Sequence, residues 1–317
     1  MKKKHVVTIR ITNWRHALVL AEQLRGWTFR GQQDASWGLI TTLQRAASLG
    51  PTSIMLTAAE EQIIEGFQRR AQHFLKDPPP LEDVIDWMSL IQHFGGTTRL
   101  LDFTKSFYVA AFFAIERATT ECAVWCVDHY GLTKALDATY KTDIFSSKMP
   151  HWRTLYRAAK LVQQVLKTEK DSLRSFVFEV QSFRLNERLA VQQGVFLCPL
   201  SVDVPFLDSL AATFGLNHSE FAQSEILNIE QFYERFESTD TQEDIAVIKL
   251  LLPLAIQYDV LDDLWNMNVT AASLFPGLDG LARSLNYHLR IDALWDIRYE
   301  SGGFNRKPGR FFRPSSL

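Results

Sequence analysis

Apolar residues recur at helical spacing along much of the chain. Between Thr57 and Leu75 they fall at Ile63, Ile64, Phe67, Ala71, Phe74 and Leu75, which predicts an amphipathic helix with Thr57 and Glu60 in capping-box relation at its start. A second stripe, Leu81, Val84, Ile85, Met88 and Ile91, predicts a helix closed by the pair Gly95-Gly96. The stretch from Phe107 to Ala118 is apolar all round and carries Ala110, Ala111 and Ala114, the pattern of a buried helix that packs closely.

Shorter apolar runs predict strands over Cys122 to Asp128, Ser175 to Gln181, Gly194 to Pro199 and Ala246 to Leu252. The intervening stretches turn helical: Leu207, Leu210, Ala211 and Phe214 form one stripe, Ile226 to Phe236 another, and two further helices reach about Leu289. The expected architecture is α+β. No Gly/Ser tract, repeat or low-complexity segment divides it, so the reading is a lead-in over 1–23, one unit over 24–290 that turns helical from about 203, and a basic tail over 291–317.

Composition narrows the classes. Lys and Arg number 34 against 36 Asp and Glu, so general electrostatic attachment to nucleic acid or membrane is not the main business of the chain. At 46% apolar and 22% charged residues it has the make-up of a globular protein, with no run approaching the roughly 18–20 apolar residues of a membrane span. The start, Met1 to His5, leads into a segment too short and polar for a secretory signal, and the expected location is cytoplasmic. Cys122, Cys126 and Cys198 lack metal-ligand spacing, and the first two fall on one side of a strand as small core residues. No metal is expected. The tail is the one charged exception: Arg306, Lys307, Arg310 and Arg313 stand there from Ser301 onward without an acid.

Chemistry concentrates in three polar, glycine-bearing blocks: Trp27 to Gln33, Gln92 to Ser106, and Arg188 to Phe196. In the first, Arg30 ends a short aromatic strand before Gly31, where a turn would let backbone and guanidinium approach a ligand together. The second sets Thr97, Thr98, Arg99, Asp102, Thr104 and Ser106 among apolar neighbours, where polar groups need each other or a ligand. Dehydrogenase, P-loop, nucleophile-elbow and zincin motifs are absent.

These blocks resemble the FRG-domain family: Phe29-Arg30-Gly31; Gln92-His93-Phe94-Gly95 leading into Thr98-Arg99-Leu100-Leu101-Asp102-Phe103-Thr104; Ala110 to Ala114; Arg188-Leu189 with Gln192 to Phe196; and Ser273 to Leu281. They occur in the family's order over roughly Leu24 to Leu285. The family pattern in turn resembles the ADP-ribosyltransferase superfamily. That resemblance implies a split, mixed or antiparallel β core with surrounding and C-terminal helices, and NAD as the substrate consumed.

By the same resemblance Arg30 holds the pyrophosphate or the nicotinamide-side ribose, Thr104 and Ser106 shape the nicotinamide pocket, and Gln193 takes the third-block position, with Gly31, His93 and Gln192 also against NAD. The superfamily's third block normally supplies a Glu. Here Gln192-Gln193 stands instead, and a neutral amide offers no charge to a developing oxocarbenium ion, so Asp102, or else Glu187, is expected to bring the carboxylate. The implied function is transfer of ADP-ribose to a macromolecular acceptor, protein or nucleic acid, by a toxin or phage-defence effector, with an antitoxin or regulatory protein as a candidate partner. NAD hydrolysis and an inert nucleotide- or partner-binding module are the alternatives.

Structural roles compete at several sites. Arg30 could be tied to Asp102 by a salt bridge, Arg99, which precedes a buried leucine pair, could satisfy helix carboxyl ends, His93 could be a capping or core histidine, and Gln192 and Gln193, being adjacent, cannot both face one pocket.

Overall fold

The computed structural model describes residues 4–48, 56–142, 151–168, 175–222, 224–236 and 244–287; the basic tail lies outside them. Among these residues eight strands form one sheet: β1 (His5–Arg10), β2 (Thr28–Gln32), β3 (Leu101–Thr104), β4 (Cys122–Val127), β5 (Val177–Val180), β6 (Gly194–Pro199), β7 (Ile226–Leu227) and β8 (Ile245–Leu252), in the order β5-β6-β3-β2-β4-β8-β1-β7. Pairing is antiparallel except where β1 runs parallel to both β8 and β7. The fold is thus α+β with a mostly antiparallel sheet.

The segment read as a lead-in supplies β1 and the helix α1 (Trp14–Gln23), whose Trp14, Ala17 and Leu20 are buried. Ile226–Leu227, read as the start of a helix, instead forms β7 beside β1; the helix begins only after Asn228 caps it. The stretch Leu101–Thr104 is also strand, hidden in the sequence because Asp102 and Thr104 alternate with Leu101 and Phe103 over just four residues.

Two helical covers share one face. The helix α5 (Phe107–Ile115), with α1 and the helix Gln257–Asn266, packs on β2, β4, β8 and β1. Contact with β2 is backbone to backbone: a Cβ at Gly31 would come within 1.9 Å of the Ala110 carbonyl oxygen, so only glycine fits there. Over β5 and β6 the cover comes from four helices, α3 (Leu56–Ala71), α4 (Val84–His93), α6 (His129–Tyr140) and α7 (His151–Thr168), through residues such as Ile64, Trp87, Met88, Leu136 and Val162 against Phe178 and Phe196. The other face of the sheet buries Trp125, Val127 and Leu197 with Phe206 and Leu210. Cys122 and Cys126 lie in the α5 cluster and Cys198 in the α4 cluster; burial pushes the Cys122 and Cys198 thiols up to about 12.

Three local expectations change. Helix α3 stops at Ala71, leaving Phe74 exposed, and Leu81 is exposed ahead of α4. Glu60 does not close a capping box: its carboxylate accepts from the Arg99 backbone N–H at 3.0 Å and from Arg99 Nε at 2.7 Å. The pair is buried, and Arg99 also donates to the carbonyls of Pro199 and Leu200, fastening α3 to the end of β6. Helix α4 ends as expected, with Gly95 at φ 84°.

Candidate functional site

The sheet is nearly divided between β2 and β3. β2 keeps a five-residue ladder with β4, while β2 and β3 share the single pair Phe29 and Thr104. Beyond that pair the strands separate, and Arg30 Nη1 donates to the Asp102 carbonyl at 2.6 Å where a ladder bond would otherwise run. Above this split, between the covers formed by α5 and α4, opens a cleft of about 390 Å³. Gly31 therefore lies inside the strand, not in a turn: its missing side chain admits α5, and its backbone also borders the cleft.

Cations line the cleft. Arg30, Arg45 and Arg188 border it with His93 and one carboxylate, Asp102. Arg30 is half-buried; its Nε is shielded from solvent and has no hydrogen-bond partner. Burial, with the charge of Arg45 adding to it, lowers its pKa, against the opposing pull of Asp102. Arg188 behaves alike: burial lowers its pKa, Asp102 raises it and Arg283 lowers it. His93, exposed at the end of α4, is lowered by desolvation and then by Arg188. Asp102 thus lies within the charge of both Arg30 and Arg188. An unspent donor on Arg30 beside further guanidiniums is a cradle for an anion such as phosphate.

Asp102 is exposed, and its Oδ1 accepts from Gln92 Nε2 at 2.7 Å. Gln92 in turn accepts from the buried Thr98 hydroxyl, so the carboxylate is oriented by a chain that starts in the core. No Arg30–Asp102 ion pair is made; Arg30 reaches the backbone carbonyl instead.

The remaining candidates divide. Thr104 is buried, lines the cleft, donates to the Gln192 carbonyl at 2.6 Å and accepts from the Ser106 N–H at 3.0 Å. Ser106 stands outside the lining and caps α5, its Oγ accepting from the Val109 N–H. Gln192 lines the cleft, but its Nε2 donates to the Leu274 carbonyl at 2.8 Å. Gln193 also falls outside the lining: it closes the helix α8 (Glu187–Val191) at φ 50°, with an exposed side chain and its carbonyl accepting from the Lys105 N–H. Glu187 is exposed in the first turn of α8.

Several groups that matter here were quoted in the sequence or passed over without a role. Arg188 is one: its guanidinium lies 4.6 Å over the Phe275 ring, and Arg283 approaches the same ring at 4.4 Å. The Phe275 block therefore holds a cleft arginine in place. Arg45 and Trp37 were not singled out; for Trp37 the available signal was an aromatic residue directly after the polar turn Asp34-Ala35-Ser36.

Lys105 lies beneath the floor. Its ammonium pairs with the buried Glu179 carboxylate, whose other oxygen meets His129 Nδ1 at 2.6 Å. The two partners depress the Glu179 carboxyl to about 2, against the effect of burial.

Among the described residues no helix is long and apolar enough to cross a membrane. No curated protein matches the chain, and no solved structure does. The model of the FRG domain matches residues 25–123, a span that holds β2, β3 and α5 and so Arg30, Arg45, Gln92 and Asp102, while Arg188 and Gln192 come from beyond it. Over residues 25–123, then, the chain is similar to the FRG domain.

Proposed function

We propose that the cleft binds NAD and that the protein is an ADP-ribosyltransferase-like enzyme, moving ADP-ribose to a macromolecular acceptor. The observation that carries this reading is the cationic cleft over the split between β2 and β3, lined by the guanidiniums of Arg30, Arg45 and Arg188 and, among the described residues, by the one carboxylate Asp102. A volume of about 390 Å³ falls in the range of small-molecule sites. The division of the sheet also agrees with the split core that the family resemblance implies.

In this reading Arg30 and its neighbours bind the pyrophosphate, and Asp102, held by Gln92, faces the nicotinamide-side ribose. As the bond from ribose C1′ to the nicotinamide nitrogen breaks, its electron pair leaves with neutral nicotinamide. Positive charge grows on the sugar, where a fixed carboxylate contributes most in the transition state. An acceptor nucleophile then attacks C1′ and gives up its proton; water in its place makes the reaction a hydrolysis. Thr104 and Gln192 hold the floor through their bond to each other, without contact to the reacting atoms.

A second reading, an inert nucleotide-binding module, has one observation in its favour: neither third-block glutamine offers a group to the ribose, since Gln192 is tied to Leu274 and Gln193 turns outward. Incubation of the purified chain with NAD, with nicotinamide release followed in the presence and absence of cell extract, separates the readings. Release only with extract, and label from NAD in a macromolecular fraction, is the expected result. Release without extract makes the chain a glycohydrolase, and binding without release makes it the inert module. An effector role in toxicity or phage defence, under an antitoxin, is a proposal from the resemblance, tested by whether expression arrests growth and whether Asp102→Asn relieves the arrest.

A further inference from the structure

The loop after β2 presents an indole that folding does not use. Trp14 and Trp87 are buried to 2% or less, whereas Trp37 is 53% exposed at the wall of the cleft. The backbone around it is pinned from both sides. Asp34 Oδ1 accepts from the Ser36 N–H at 2.7 Å, the Trp37 N–H donates to the Asp34 carbonyl, and the Ala35 N–H donates to the Glu121 carbonyl at 2.8 Å. Lys249 Nζ donates to the Ala35 carbonyl at 2.7 Å, and Gln32 Nε2 to that of Gly38 at 3.1 Å. A wet aromatic face on a loop held this firmly is pre-organised for a flat partner.

Its neighbours specify the partner. Arg45 lies close enough to Arg30 for the two charges to oppose each other, and Arg45 Nη2 approaches the Ile40 carbonyl of the same loop at 3.5 Å. One end of the cleft therefore joins an aromatic face to two guanidiniums, which suits a base followed by phosphate. We propose that Trp37 is the platform on which the adenine ring stacks, with the adjoining phosphates on Arg30 and Arg45. This rests on the NAD reading above. The ribose that loses nicotinamide belongs beside Asp102, the only carboxylate in the lining among the described residues, so the base at the solvent-facing Trp37 is the one that does not react. Trp37 is then a determinant of affinity for the non-reacting end: it favours a ligand that carries a base beyond the phosphates.

Calorimetric titration of the full chain with ADP, nicotinamide mononucleotide and inorganic pyrophosphate tests this. Trp37→Leu should weaken ADP about tenfold or more and leave the other two unchanged, while Trp37→Phe should stay within about threefold of the parent for all three. The thermal midpoints of both variants should match the parent, as the side chain is exposed. Equal ADP binding by parent and Trp37→Leu overturns the proposal, as does loss of nicotinamide mononucleotide in place of ADP, or a parent chain that binds no ADP. Trp37-dependent ADP binding by a chain that never releases nicotinamide from NAD upholds the platform and overturns the transferase reading.

Discussion

Two arginines in this molecule have opposite circumstances. Arg99 gives its guanidinium to Glu60 and to the carbonyls of Pro199 and Leu200, all inside the protein, and is 3% exposed. Arg30 makes one hydrogen bond, to the Asp102 carbonyl, and keeps a shielded Nε without a partner at the wall of a cleft. Both belong to motif blocks of the kind that invite a functional reading. What separates them is whether the fold consumes their donors: a spent guanidinium is a fastener, and an unspent one is a receptor for something outside the chain.

The contrast can be broken most forcefully at Arg99. Arg99→Ala leaves Glu60 charged and buried, and should cost about 3–5 kcal/mol in urea unfolding, enough to unfold much of the population. A variant that keeps its stability and loses only ligand binding would place Arg99 with Arg30. Next in size is Asp102→Asn, which should lower turnover by at least roughly a hundredfold in a nicotinamide-release assay and reduce NAD affinity far less, because the charge acts mainly on the developing cation. Full activity in that variant would move the stabilising carboxylate elsewhere.

Arg30→Ala sharpens the comparison from the other side. NAD affinity should fall by about tenfold or more in titration, with a thermal midpoint close to that of the parent, since a single bond to a carbonyl is lost. Unfolding comparable to Arg99→Ala would make Arg30 a fastener after all. The smallest effect is expected from Gln193→Glu: the side chain is exposed outside the cleft, so activity and stability should both stay near the parent values, and a clear gain in rate would show that it reaches the ribose.

Much of this was legible in the residues. Strands β4, β5, β6 and β8 and helices α3, α4 and α5 follow from periodicity, because each buries a continuous apolar stripe or run, whereas β2 reads only as a short aromatic strand ending at Arg30 and in fact runs on to Gln32. The convergence of the Arg30, Asp102 and Gln192 blocks could be anticipated only through resemblance, as they lie far apart in sequence. β1 and β7 were not legible: one is a parallel strand whose partner is more than two hundred residues away, and the other has two residues. The parting of Gln192 from Gln193 depends on one backbone angle, the positive φ that closes α8, and no pattern of apolar positions announces it. Glu60 misled for a related reason. Its spacing from Thr57 fits a cap, but a buried arginine across the fold is the stronger claimant.

The cluster beneath the cleft floor ties the fold to the acidity of its surroundings. An unfolded chain takes up a proton at Glu179 near the ordinary carboxylate value of about 4.3, while the folded chain, with Lys105 and His129 against that carboxylate, resists until about pH 2. The depressed value means that this stability is whole above roughly pH 5 and drains away as the pH falls toward 2. Because Lys105 also donates its N–H to the Gln193 carbonyl, acid should loosen the floor together with the sheet edge. Urea midpoints recorded from pH 7 to pH 3 should fall steeply in the parent and more gently in Glu179→Gln, whose fold has already surrendered that proton linkage.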